Sequence, residues 1–128
     1  EEQLRRFIII LRRLGVHPVS GGRFLHIGGN CNQGVALTWL LKEYQRQHKG
    51  VTINTIALGD GKNDVSMLEV ADTAVRIASP VHEPPKLERK LKLYTSNKIG
   101  PKGWTEVLDQ LIPESVFLSP TQQPNKTI

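Results

Sequence analysis

The sequence predicts an α/β layered fold built on a parallel sheet. Three observations carry that prediction. Amphipathic helical stretches alternate with short apolar runs rich in β-branched residues. The apolar runs at 53–58 and 74–78 are compact enough to be strands buried on both faces. The turns between them are marked by glycine, as at Gly59 and Gly61. Helix, strand, short helix, strand is the order that layers helices against parallel strands.

Taken in order, residues 4–14 place Leu4, Phe7, Ile8, Leu11 and Leu14 at helical spacing, with arginines between them and Gly15 as the stop. Residues 17–19 and 23–27 read as two strands joined by Ser20, Gly21 and Gly22, a hairpin. Asn30 or Asn32 caps the next helix, 35–44, where Leu37, Leu40, Leu41 and Tyr44 share a face and Trp39 sits among core positions. A strand follows at 53–58, then a helix at 64–70 with Val65, Leu68 and Met67 inward, then the second buried strand at 74–78. Prolines 80, 84 and 85 make 79–85 a loop. Pro101 stands near the start of a short helix at 104–111, whose Trp104 packs it against the core. Residues 114–128 lack periodicity and read as a flexible tail.

Composition narrows the function classes. The 128 residues suffice for one domain or two incomplete lobes. No apolar run approaches the roughly 20 residues of a membrane span. Cys31 is the single cysteine, so no intrachain disulfide forms. That usage agrees with a reducing cytoplasm, and Cys31 has no ligand-spaced neighbour, so it reads as a quiet, at least half-buried thiol. No signal-peptide pattern is visible, although the chain opens Glu-Glu-Gln rather than with Met. The net charge is +5, concentrated at Arg5, Arg6, Arg12 and Arg13 and again at Lys86, Arg89, Lys90, Lys92, Lys98 and Lys102. Such a field attracts anions. Aromatic content of 5% offers few platforms for bases and argues against nucleic acid as the partner.

The chemistry concentrates in Gly59-Asp60-Gly61-Lys62-Asn63-Asp64, directly after a buried strand. In open parallel sheets, ligands sit outside the carboxyl ends of strands. Asp60 leaves the strand tip there, and Asp64 follows in the first turn of the next helix. Two carboxylates on one spot are hard oxygen donors of the kind Mg²⁺ takes, with water and phosphate completing its shell. Asn63 carries an amide donor for a phosphate or a carboxylate. On pattern alone a second reading stands: Asp60-Gly61 as a simple turn and Asp64 as a helix N-terminal acid. Lys62 reads as a solvated surface lysine, and His17, His48 and His82 form no ligand cluster.

The Gly-Asp-Gly-x-Asn-Asp string resembles the metal-binding motif of haloacid dehalogenase (HAD) superfamily phosphatases. Together with Gly-Gly-Arg-Phe-Leu-His-Ile-Gly-Gly-Asn at 21–30 and Ile-Gly-Pro-Lys-Gly-Trp at 99–104, it resembles the C-terminal half of mannosyl-3-phosphoglycerate phosphatases. The resemblance extends to about Pro113. Those enzymes have a core domain and an inserted α/β cap. The resemblance implies that 1–29 is the C-terminal piece of a cap and 30–113 a partial HAD-like Rossmannoid core lacking its first strand, with 114–128 a flexible tail. It implies Mg²⁺ held by Asp60 and Asp64, Asn63 supporting phosphate or nucleophile, and an anionic sugar-phosphate substrate. The implied reaction releases phosphate from mannosyl-3-phosphoglycerate to leave mannosylglycerate. His26 and, more weakly, Arg23 become candidates for substrate contact, with a merely packed strand histidine as the simpler role for His26.

Two departures qualify the resemblance. No Asp-x-Asp, the family's nucleophile motif, occurs in the 128 residues, and Gln33 stands where the family has a charge-stabilising lysine. The first departure leads to the expectation that the chain is a fragment without phosphatase activity of its own. A sheet edge left open by an absent strand would then favour self-association. A non-catalytic module that binds metal or anions, or acts through its basic surface, is the alternative reading.

Overall fold

The computed structural model describes residues 1–21 and 23–113. The expected α/β fold with a parallel sheet is present. Helix α1 (Glu2–Arg13) leads into an antiparallel hairpin of β1 (His17–Gly21) and β2 (Phe24–Gly28), with His17 opposite Gly28 and Gly21 opposite Phe24. Helix α2 (Gln33–Gln47) follows, capped by Asn32, whose side-chain oxygen accepts from the Val35 amide at 3.0 Å. The main sheet comprises β3 (Ile56–Gly59), β4 (Thr73–Ala78) and β5 (Leu93–Ile99), all parallel, with β4 central. A single 3₁₀ turn, Lys62–Asp64, and the short helix α3 (Val65–Val70) connect β3 to β4; α4 (Gly100–Leu111) follows β5.

The two faces of the sheet carry separate apolar clusters. Ala57 and Ala74 meet Leu68 and Ala71 on one face, with Leu37 of α2 and Leu87 packed against them. Val75 and Ile77 meet Val107 of α4 on the other. The small side chains on β3 and β4 let α3 approach the sheet closely, and Leu68 is wholly buried there. Full burial of such a side chain stabilises by roughly 1.5–3 kcal/mol.

Several details differ from the sequence reading. The strand expected at 53–58 begins only at Ile56, because Thr55 pairs with Asp72 instead: the Asp72 carboxylate accepts from the Thr55 amide at 2.7 Å and from its hydroxyl at 2.9 Å. Strand β5 lies in a segment read only as a basic stretch. Its one buried residue is Ser96, so it lacks apolar alternation and presents a polar edge. Trp39 is not in the core but 66% exposed, and Leu40 and Tyr44 beside it are also exposed. Helix α2 touches the domain through its first turn, where Gly34 is buried, and through Leu37, which leaves Trp39 on the open side. Cys31 is exposed rather than half-buried, lying in the turn before α2. The tail expected at 114–128 lies outside the described residues. Among the described residues no helix is long and apolar enough to cross a membrane.

The connection from β4 to β5 contains no helix. Its backbone is held instead by Arg89, whose guanidinium donates to the carbonyls of Leu68, Ala71, Asp72 and Leu91. The first two belong to the C-terminal end of α3, where carbonyls lack helical partners.

Candidate active site

A cavity of about 590 Å³ opens at the carboxyl ends of the three parallel strands. Leu58, Gly59 and Asp60 come from the β3 tip, Ile77 to Pro80 from the β4 exit, and Gly100, Pro101 and Trp104 from the start of α4. Asp64 completes the wall. This is the crevice where an open parallel sheet presents its loops. Trp104 is 47% exposed and lines the cavity rather than sealing α4 onto the core, because it sits in the first turns of α4, above the sheet end.

The two carboxylates lie in different environments. Asp64 is 8% exposed. Its Oδ2 accepts from the amides of Asp60 and Gly61, both at 3.0 Å, and its Oδ1 accepts from the Asn63 side-chain amide at 3.0 Å. Three donors therefore hold this carboxylate and shape the loop around it. Gly59 makes the arrangement possible, since a Cβ there would overlap the Asp64 side chain. Asp60 is free of such bonds and well exposed, with its Oδ2 3.9 Å from Nε2 of His82. The His82 Nδ1 lies 3.1 Å from the Glu83 carbonyl, which can only accept, so Nδ1 is the donor of the pair.

The remaining candidates spread outward from this centre. The Asn63 amide donates to Asp64, so its first role is to orient a carboxylate. His26 and Asn63 approach the same glycine: a Cβ on Gly21 would lie 2.8 Å from His26 Nε2 and 3.7 Å from Asn63 Cγ. The hairpin thus brings His26 beside the 59–64 loop, whereas Arg23 is exposed at the hairpin turn. Gln33 is exposed at the first position of α2 and is not among the residues lining the cavity. Its neighbour Gly34 is buried, with its amide donating to Ser66 Oγ at 3.1 Å. Lys62 is exposed. His82 is a neighbour that no local sequence feature singles out. It stands 22 residues from Asp60, and parallel pairing of β3 with β4 brings their exit loops together.

The donor set fits a hard cation. Asp60 offers an open carboxylate, and Asp64 Oδ1 keeps a lone-pair site beyond the one bond it accepts, whereas Oδ2 is taken up by the two amides. Mg²⁺ is commonly held by one or two carboxylates and retains several waters. Among the described residues no group of three His, Cys, Asp or Glu side chains forms a closed metal cage. A family model described as haloacid dehalogenase-like hydrolase matches residues 20–83, a span that runs from the hairpin through Gln33 and the 59–64 loop to His82. That span is half of the 128 residues, and the chain belongs to the haloacid dehalogenase-like hydrolases.

Proposed function

We propose that the chain is the metal-holding part of a Mg²⁺-dependent phosphatase for an anionic sugar phosphate, with mannosyl-3-phosphoglycerate as the substrate. The observation that supports it best is the shared cavity of Asp60 and Asp64 at the strand ends. In this reading residues 1–29 close a cap, 30–113 form the core, and the protein works in the cytoplasm. Held by Asp60 and Asp64, Mg²⁺ would supply neutralising charge to phosphate oxygens. Asp60 would reach the ion directly. Asp64 would meet it already oriented by the Asp60 and Gly61 amides and by Asn63. His26, beside Asn63, would meet the part of the substrate that reaches toward the hairpin, with Arg23 further out. Gln33, exposed at the start of α2 and outside the cavity lining, would have to turn toward the bound phosphate to serve as the uncharged donor in the family's lysine position.

A second reading, a non-catalytic metal- or anion-binding module, is favoured by one specific observation: the 128 residues contain no Asp-x-Asp. Two measurements test the pair. Titration of Mg²⁺ with and without mannosyl-3-phosphoglycerate, followed by amide shifts at 59–64, is expected to show metal-dependent substrate binding. Asp60→Asn is expected to weaken it about tenfold or more, as loss of one charged ligand does. Absence of metal-dependent binding in the unaltered chain would overturn the phosphatase reading. Phosphate release by these 128 residues is expected to be nil for want of the nucleophile; steady Mg²⁺-dependent release would overturn the module reading.

A further inference from the structure

On the sheet face away from α4, a second cleft of about 380 Å³ is lined by Arg76, Lys86, Leu87, Arg89, Lys90 and Leu93. Four of the six are cationic and none is acidic. We propose that this cleft is a second anion site, which takes a small phosphorylated ligand without a metal ion.

The cleft is built, not a chance gathering of surface lysines. The connection from β4 to β5 has no secondary structure of its own over the cleft, yet three anchors hold it there. Arg89 ties it to the end of α3 through the carbonyls of Leu68, Ala71 and Asp72. The Glu69 carboxylate accepts from the backbone amides of Glu88 and Arg89. The Arg76 Nη1 reaches the Pro85 carbonyl at 3.3 Å. Leu87 and Leu93 then pack on the Ala57–Leu68–Ala74 cluster as an apolar floor. These anchors bring Lys86 and Lys90 to the same cleft as Arg76.

Asp72 and Glu69 answer part of the field at Arg89, whereas Arg76, Lys86 and Lys90 face no carboxylate of the described residues at ion-pair distance. None of the four cations forms an ion pair with a carboxylate among the described residues. The nearby Glu69 is turned to backbone amides. Arg89 is occupied by carbonyls, so its role is to position the loop and add field. Arg76 spends Nε on the Thr95 hydroxyl and Nη1 on Pro85, which leaves its Nη2 without a protein acceptor among the described residues. One free guanidinium nitrogen and two exposed ammonium groups over an apolar floor suit a phosphate or pyrophosphate head carrying a small organic group.

The two cavities share no lining residue and have opposite charge. The Asp60–Asp64 cavity repels an anion unless a cation is bound, whereas this cleft attracts one directly. The inference therefore stands apart from the proposed phosphatase reaction. Pyrophosphate and glucose 6-phosphate, titrated into the full chain in EDTA at low ionic strength, are expected to shift the amides of 86–93 and the Arg76 Nε–H saturably. Lys86→Gln with Lys90→Gln should weaken binding about a hundredfold, roughly tenfold for each charged contact. The pair Lys86→Arg with Lys90→Arg should retain it, and Asp60→Asn should leave it unchanged. Both lysines are exposed, so the substituted chains should keep the parent amide spectrum elsewhere. Shifts confined to 59–64, equal affinity in the glutamine variant, no saturation by about 10 mM, or binding of an oligonucleotide but not of pyrophosphate would each overturn the proposal.

Discussion

Gly59 and Asp64 form one unit of the candidate site. The glycine leaves just enough room for the carboxylate that gathers the loop's amides. Gly59→Ala must therefore push Asp64 off its three donors. Overpacking of this kind typically costs about 1–3 kcal/mol. Mg²⁺ affinity at 59–64 should fall with it, by about tenfold or more. Urea unfolding and Mg²⁺ titration of the variant check both effects; unchanged metal affinity would show that Asp64 is not a ligand. At this scale the sequence was informative about Asp60 and Asp64, because a turn glycine, a strand end and a four-residue spacing are local features. The Asn63–Asp64 bond and the approach of His82 were not legible. The first depends on side-chain torsions, and the second on which strands pair.

Among the elements, the join between the start of β3 and the start of β4 rests on a reciprocal pair. The Asp72 carboxylate accepts from the Thr55 amide and hydroxyl, and the Thr55 hydroxyl accepts from the Asp72 amide at 2.9 Å. The hydrogen bond from the Thr55 amide, then that from its hydroxyl, hold the Asp72 carboxyl below the usual aspartate range, with help from the charges of Lys92 and Arg89. In the unfolded chain this carboxyl titrates near pH ~3.9. Below that value the unfolded state binds more protons than the folded state, so stability falls as acid is added. The contribution is fully present above the unfolded value and lost as pH drops through the lowered folded one. Asp72→Asn should thus lower stability near neutrality and flatten its decline below about pH 4. Urea midpoints across that range test this, and a parallel decline in both proteins would remove Asp72 from the account. The same pair explains why β3 starts late: Thr55 has the sequence character of a strand residue and its carbonyl accepts from the Thr73 amide at 3.0 Å, but its own amide and hydroxyl go to Asp72 in the turn before β4. Strand β5 escaped the sequence for a related reason. Its order comes from partners in other elements, Ser96 bonding Ala78 and Glu106 accepting from the Asn97 and Lys98 amides, and not from an apolar alternation.

At the scale of the whole molecule, the described residues include seven buried apolar side chains, three of them alanine. Against that small core stand Val35, Trp39, Leu40 and Tyr44 on α2, all at least 44% exposed, and Phe7, Ile9 and Ile10 on α1. Strand β3 ends the sheet on the side opposite β5, so its outer backbone groups have no strand partner among the described residues. The layered architecture was legible because apolar periodicity reports local element type. How little of α2 is covered was not, because the same stripe of Leu37, Leu40, Leu41 and Tyr44 reads as core whether or not a neighbour covers it. An open strand edge and exposed apolar helix surface are each templates for association. We propose that the chain pairs with further copies of itself through the exposed α2 face, which buries Val35, Trp39, Leu40 and Tyr44. The expected outcome is a mass that rises with concentration in sedimentation equilibrium, with a melting temperature that rises alongside it, as association linked to folding requires. Trp39→Lys on the exposed face should shift the equilibrium toward monomer without unfolding the chain, since the indole is two-thirds exposed and contributes little to the core. A monomer at about 100 μM, well above the range of a stable micromolar complex, with a concentration-independent melting temperature would refute the association.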